Sequence, residues 1–223
     1  MPFKIVKYLN GKYSVQNRIT GHLFSKGSTL KAAKAQLRLL EAKMSGAGQG
    51  RELEYKSMSD ADLNAYFPGA RVVKYSEIPK NKSVMDWIRP NEVVFLLYEQ
   101  EINQGHWCGI CRSDDAVYYF DSYGNPPEKP LSWNSPEKNE ELQQEPGVLK
   151  NMLYASPLPV YFNDYDYQSK EDGVSTCGRH VSMFFCFFKK LGGDLRGFKK
   201  MIDAERKKQK KTADELATEV VTL

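Results

Sequence analysis

The sequence is poor in the residues that disulfide scaffolds, metal centres and membrane spans require. It holds four cysteines and three histidines in 223 residues. Four cysteines in a chain this long are too few for a disulfide framework and read as free thiols of a reducing compartment. No apolar run approaches the roughly 20 residues of a membrane-spanning helix. The opening Met1-Pro2-Phe3-Lys4-Ile5-Val6-Lys7 interrupts every apolar pair with charge and does not read as a signal peptide. Glycine and proline, at 16 and 11, are too few for a collagenous or low-complexity chain. What is present is globular: 41% hydrophobic residues, enough for one medium domain or one domain with a small appendage.

The net charge of +4 conceals a segregation. Residues 1–56 carry 11 basic and 3 acidic residues, a net of +8. Residues 57–188 carry 11 basic and 19 acidic, a net of −8, and residues 189–223 carry 10 and 6, a net of +4. Two basic ends therefore flank an acidic middle, which a uniformly mixed surface does not produce.

Alternation in Phe3-Ile5-Lys7 and Tyr13-Val15-Asn17 around Asn10-Gly11 predicts a hairpin. Ser28-Thr29 caps an expected helix from Leu30 to Met44, with Leu30, Ala33, Leu37 and Leu40 on one face. Ser45-Gly46-Ala47-Gly48-Gln49-Gly50 then reads as an exposed tether. The expected organisation is a basic module over 1–50, a central domain over 51–193 and a basic helical extension over 194–223. Glu92–Tyr98, His106–Ile110, Ala116–Phe120 and Pro159–Asn163 read as strands, and Gly178–Leu191 as a strongly apolar helix stopped by Gly192-Gly193. The class is α+β: a central antiparallel sheet packed on the apolar helix.

Cys177 carries the most chemistry. It stands in Thr176-Cys177-Gly178 at the start of that helix. There the positive end of the dipole and unpaired N–H groups favour thiolate, and the same N–H groups can stabilise an oxyanion. Gly178 allows close approach to the backbone. A thiol nucleophile needs a base. His106, in Gly105-His106-Trp107 at the head of a strand, is the first candidate. His180, three residues after Cys177, is the second but has no evident orienting acid; His22 lies in the basic module. Asp121 ends the strand Val117-Tyr118-Tyr119-Phe120-Asp121 and falls at the sheet end where His106 lies, so it can fix the imidazole tautomer. Against these roles stand blander ones: a buried structural thiol, a packing histidine and a strand-end cap. Cys108 and Cys111 form a Cys-x-x-Cys, but strand positions three apart face opposite sides and no second ligand pair is spaced for zinc. Both read as packing residues, as does Cys186 among its phenylalanines, and no metal is expected.

The ordered set Gly105-His106-Trp107, Phe120-Asp121-Ser122, Gln168 and Thr176-Cys177-Gly178 resembles the adenovirus-type cysteine peptidases, a superfamily that includes the SUMO-deconjugating peptidases. The resemblance covers about residues 90–191. It implies a papain-like/adenain-like fold in which the nucleophile helix packs on the sheet carrying His and Asp. It implies Cys177 as nucleophile, His106 as general base and acid, and Asp121 as the residue orienting His106. Gln168 would be the oxyanion donor beside the Cys177 N–H, and Trp107 would line a groove narrow enough to select small residues. Gln168 stands further from Cys177 than the family's glutamine usually does, so Ser169–Ser175 must loop out. Such peptidases prefer Gly-x-Gly or Gly-Gly-x sites, and Met44-Ser45-Gly46-Ala47 before Gly48 resembles one. This raises self-processing between Ala47 and Gly48 against a plain linker. The Lys34-Ala35-Gln36-Leu37-Arg38-Leu39-Leu40 helix resembles basic leaders on proteins of large DNA viruses and virophages.

The resulting expectation is a thiol endopeptidase processing capsid proteins during virion maturation, in the virion and the host cytoplasm or viral factory. The rival expectations are a peptidase removing a ubiquitin-like modifier and a non-catalytic virion or DNA-binding protein on the same fold. No cofactor is expected unless DNA or a peptide activates the enzyme. The partners are protein substrates and, through the basic ends, DNA contacted without sequence readout. No membrane partner is expected.

Overall fold

Val93-Val94-Phe95-Leu96-Leu97-Tyr98 has no polar residue to turn toward water, so it must be covered on both faces. The computed structural model of the protein, which describes residues 3–8, 10–17, 23, 29–34, 37, 53–171, 173–192 and 194–221, places it at the centre of a sheet. The Ala47–Gly48 bond, His22 and most of the helix expected over Leu30–Met44 lie outside the described residues.

Strands β1 (Phe3–Lys7) and β2 (Tyr13–Asn17) form the expected antiparallel hairpin, closed at Gly11 with φ +73°. Its apolar side, Val15 with Ile5 and Tyr13, packs with Ala33 and Leu37. The main body begins with α1 (Asp60–Tyr66), which Ser59 and Asp62 open with a reciprocal capping box. Next come β3 (Arg71–Lys74) and a short α2 (Val84–Trp87). Three long strands follow, β4 (Val93–Glu101), β5 (Gln104–Arg112) and β6 (Val117–Asp121). Helices α3 (Pro136–Glu141) and α4 (Val148–Tyr154) precede β7 (Val160–Phe162). The chain ends in α5 (Cys177–Leu191), α6 (Leu195–Gln209) and α7 (Ala213–Val220).

The five strands lie in the order β3-β4-β5-β6-β7. Only the three central strands are antiparallel; β3 on β4 and β7 on β6 are parallel. The central strands are antiparallel, as expected, but the parallel edges make the sheet as a whole mixed. Chain-adjacent strands joined by tight turns must run antiparallel, whereas β3 and β7 reach the sheet through helical connections that leave either direction open. The β3 strand itself was not anticipated: four residues are too few for a period to register.

One face carries α5. Val181, Phe184, Phe185 and Phe188 recur at helical spacing and are buried against Phe95 and Phe120. Phe184 stacks on Phe120 with ring centroids 4.8 Å apart, and Phe185 meets Phe95 edge-on at 4.8 Å. Gly109 lets the helix sit this low: a Cβ there would come within 2.7 Å of Val181 and 2.8 Å of the Phe185 ring. Burial of each such side chain is worth about 1.5–3 kcal/mol, so this seam holds α5 firmly in place. The opposite face, with Val94, Leu96, Tyr98, Ile110 and Tyr119, is covered by α2, α4 and the 129–133 turn.

The basic C-terminal segment contributes to the same core. Phe198 of α6 meets Phe120 and Phe184 at 5.5 and 5.3 Å, and Ala213, Ala217 and Val221 belong to the same buried cluster. Cys186, expected in the core, is half-buried and lines an apolar groove with Phe187, Met201 and Leu216.

Candidate active site

The β4–β5–β6 register decides which side chains meet. Leu97 pairs with Trp107 and Tyr98 with His106, while Asp121 pairs with Cys108. His106 and Cys108 are two residues apart and share a face, so Asp121 lies diagonally across from His106. The His106 Nε2 donates to Asp121 Oδ1 at 3.1 Å. Both groups are buried, at 5% and 0% exposure.

The carboxylate is held from several sides. Its oxygens accept the Tyr123 backbone N–H at 2.7 Å and Asn125 Nδ2 at 3.4 Å. Asn163 clamps the Asp121 backbone, accepting its N–H at 2.9 Å and donating to its carbonyl at 2.6 Å. Cys108 contributes as well: its thiol donates to Asp121 Oδ2 at 3.6 Å and accepts the Tyr119 hydroxyl at 3.1 Å. Cys108 is therefore more than packing, although Cys111 faces the other core as its offset dictates. Among the described residues, His106, Cys108 and Asp121 form a compact group of metal-ligand types. Burial pushes the Cys108 thiol up to about 12.

The imidazole is fixed by two rings: Tyr123 stacks on it at 5.2 Å and Trp133 meets it edge-on at 5.0 Å. Burial opposes the imidazolium, but the neighbouring Cys108 and Asp121 outweigh burial and hold His106 well above its ordinary value. Asp121 contributes both its bond to the ring and its charge.

Cys177 begins α5 and is 7% exposed. Burial opposes the thiolate, yet its bond to His106, the charge of that ring and the backbone N–H groups of Trp107 and Gly178 hold it below the usual thiol range. With Nε2 occupied by Asp121, Nδ1 is the nitrogen left for the thiol. The arrangement favours a thiolate–imidazolium pair.

Gln168 lies in the same cleft as Cys177 and His106, with Tyr123, Asn125, Trp133, Lys170 and Ser175; the cleft measures about 470 Å³. Its amide is oriented by Ser122, whose Oγ donates to Oε1 at 2.8 Å, and Nε2 donates to the Val174 carbonyl at 3.1 Å. The structure thus brings Cys177, His106, Asp121 and Gln168 together despite the long spacing before Cys177.

Trp107 and Gly178 were expected to face a substrate. Instead, Met58 covers both. The Trp107 indole donates to the Met58 carbonyl at 2.9 Å, and a Cβ on Gly178 would meet Met58 Cβ at 3.1 Å and Trp107 at 3.3 Å. The 54–58 segment is pinned along this edge: Glu54 accepts from the Ser175 N–H at 2.7 Å and Lys56 from Arg179 at 2.6 Å. No periodicity in 54–58 signals this role.

His180 also departs from expectation, since it does have an acid. Its Nε2 donates to Asp214 of α7 at 2.9 Å.

"Uncharacterized protein V9" of Sputnik virophage is 31% identical over 150 residues, 67% of this chain and 84% of that protein. This chain belongs to its family. No protein-family model matches. Among solved structures, the ASFV pS273R protease aligns with 44% of this chain and 36% of its own at 17% identity, TM-score 0.24. A de-sumoylating protease aligns with 99% and 90% at 13% identity, TM-score 0.35. Both overlaps are loose in shape.

Proposed function

We propose that this member of the V9 family is a thiol endopeptidase with Cys177 as nucleophile. The observation that carries the reading is the buried His106–Asp121 pair, lining one cleft with Cys177 at a helix N-terminus and an oriented amide, Gln168. The Cys177 thiolate attacks the scissile carbonyl carbon, and the oxyanion is met by the Cys177 N–H and the Gln168 amide. His106 gives its proton to the leaving amine as the C–N bond breaks and a thioester forms. Water then adds to the thioester as His106 takes up one proton. The carboxylic acid departs, Cys177 is restored, and Asp121 keeps the ring oriented throughout.

The proposed sites are Gly-rich. The rings of Tyr123 and Trp133 beside His106 narrow the entrance and favour chains without bulky side chains. Capsid proteins are the proposed substrates. Self-processing at Ala47–Gly48 belongs to the same proposal. Glu54, six residues after Gly48, is bonded to Ser175, and six extended residues span roughly 20 Å, enough for the tether to reach Cys177.

The test is hydrolysis of fluorogenic Gly-x-Gly peptides by wild type and Cys177→Ala. Turnover by wild type alone is expected. Equal turnover, or none by either over a panel that includes the 41–52 peptide, would overturn the reading.

A further inference from the structure

The oxyanion donor and the nucleophile stand at the two ends of one loop, Gln168 at its start and Cys177 just past its end. A loop of this length has no intrinsic reason to keep its ends in register. Beside the Gln168–Val174 bond within the loop, one carboxylate from the far end of the chain joins them. Asp214, on the first turn of α7, is 3% exposed. Its Oδ2 accepts the Ser169 backbone N–H at 2.8 Å, immediately after Gln168. Its Oδ1 accepts the Thr176 hydroxyl, immediately before Cys177, and His180 Nε2 at 2.9 Å, one turn into α5. Thr176 and His180 are themselves fully buried.

The arrangement is costly unless it has a use. Thr176 stands at the N-cap of α5, where a hydroxyl ordinarily caps the helix, yet it makes no cap bond and turns to Asp214 instead. The His180 Nδ1 is buried without a partner among the described residues, and an unmet buried polar atom is a cost to the fold. Burial opposes the Asp214 charge, but the bonds from His180, Thr176 and Ser169 outweigh it and hold the carboxyl below its ordinary value. The carboxylate is therefore ionised and acts as a three-point acceptor with bonds of the stronger, charge-assisted kind.

We propose that Asp214 is a positioning residue for the thiol site: it staples Ser169 to Thr176 and so sets the Gln168 amide against the Cys177 N–H. This rests on the protease reading above. It makes α7, read from sequence as part of a basic appendage, a component of the active site. His180 serves the staple rather than acting as a second base.

The experiment compares full-length wild type, Asp214→Ala, Asp214→Asn and Thr176→Val in three measurements. These are peptide turnover, alkylation of Cys177 by iodoacetamide read on its own tryptic peptide, and amide exchange over 168–176. Alkylation needs the thiolate but no oxyanion site. For Asp214→Ala the expected result is a kcat lower by about 10–100-fold with KM and Cys177 alkylation within about twofold. Exchange at Ser169 should be faster by tenfold or more. Asp214→Asn and Thr176→Val should fall between. Unchanged kcat and exchange would overturn the proposal. So would a parallel fall of turnover and alkylation, or loss of folding in all three variants, each of which marks a purely structural role. Absence of turnover by wild type on every peptide would instead count against the protease reading, while the exchange measurement still decides whether Asp214 orders the loop.

Discussion

Asp121→Asn removes one charge while keeping the shape of the side chain. The His106–Asp121 pair is 3.1 Å apart and buried at both ends. At about 4 Å between charge centres and an effective dielectric near 20, the attraction is on the order of 4 kcal/mol. Part of this is lost to desolvation, leaving roughly 2–3 kcal/mol to be removed from the imidazolium. An asparagine Oδ1 can keep the His106 and Tyr123 N–H bonds, but its Nδ2 then faces Cys108 and Asn125, whose donors the carboxylate Oδ2 accepts. His106 should then fall back toward its ordinary value and Cys177 should rise, because the imidazolium is the main charge favouring its thiolate. The expected loss is about 30–150-fold in kcat/KM, from tenfold per 1.36 kcal/mol. The assay is the pH profile of Cys177 alkylation beside that of peptide turnover. In wild type, alkylation should begin below the usual thiol range. In Asp121→Asn its onset should move to higher pH, and the alkaline fall in turnover, set by His106 losing its proton, should move to lower pH. Identical profiles for the two proteins would refute the reasoning, since they would mean that His106 does not depend on Asp121 for its charge.

Gly109→Ala should destabilise the fold by about 1–3 kcal/mol, because the new methyl meets Val181 and Phe185. Urea unfolding checks it, and an unchanged midpoint would mean that α5 sits higher on the sheet. Gln168→Ala should lower kcat by about 10²–10³-fold while leaving Cys177 alkylation within about twofold. Equal loss in both would place Gln168 in packing alone. The Asp214 carboxyl lies below its ordinary value in the fold, so its stabilisation is present above about pH 4 and is lost as pH falls through its folded value. Asp214→Asn should therefore flatten the acid limb of a melting-temperature profile. His106 lies above its ordinary value, so its stabilisation is complete below about pH 6.5 and fades as pH rises through the folded value. Asp121→Asn should flatten that limb.

The residues legible in the sequence were those whose position within an element already constrains them. Cys177 opens an apolar helix, His106 heads a strand and Asp121 ends the next one, so a single hairpin register suffices to join the last two. The opposite faces of Cys108 and Cys111 followed from the two-residue period of a strand. What stayed hidden depends on contacts between distant segments. Asp214 reaches His180 across 34 residues and Ser169 across 45. In the sequence it is an ordinary acid in the first turn of a helix. Met58 covers Gly178 and Trp107 from a segment with no pattern of its own, so those two glycine and tryptophan positions read as open when they are filled. The parallel edges of the sheet were illegible for a related reason. Strand direction beyond a helical connection is set by where the helix packs, and four residues of β3 or three of β7 do not encode it.

Trapping of Cys177 by an electrophilic peptide separates a working thiol protease from an inert cleft. Full-length protein is incubated with a glycyl-glycyl vinyl sulfone and read by intact mass and peptide mapping. The expected result is one added probe on the Cys177 peptide, abolished by His106→Ala, with buried Cys108 and Cys111 unmodified. No adduct, or an adduct on half-buried Cys186 alone, would contradict the assignment of Cys177 as nucleophile.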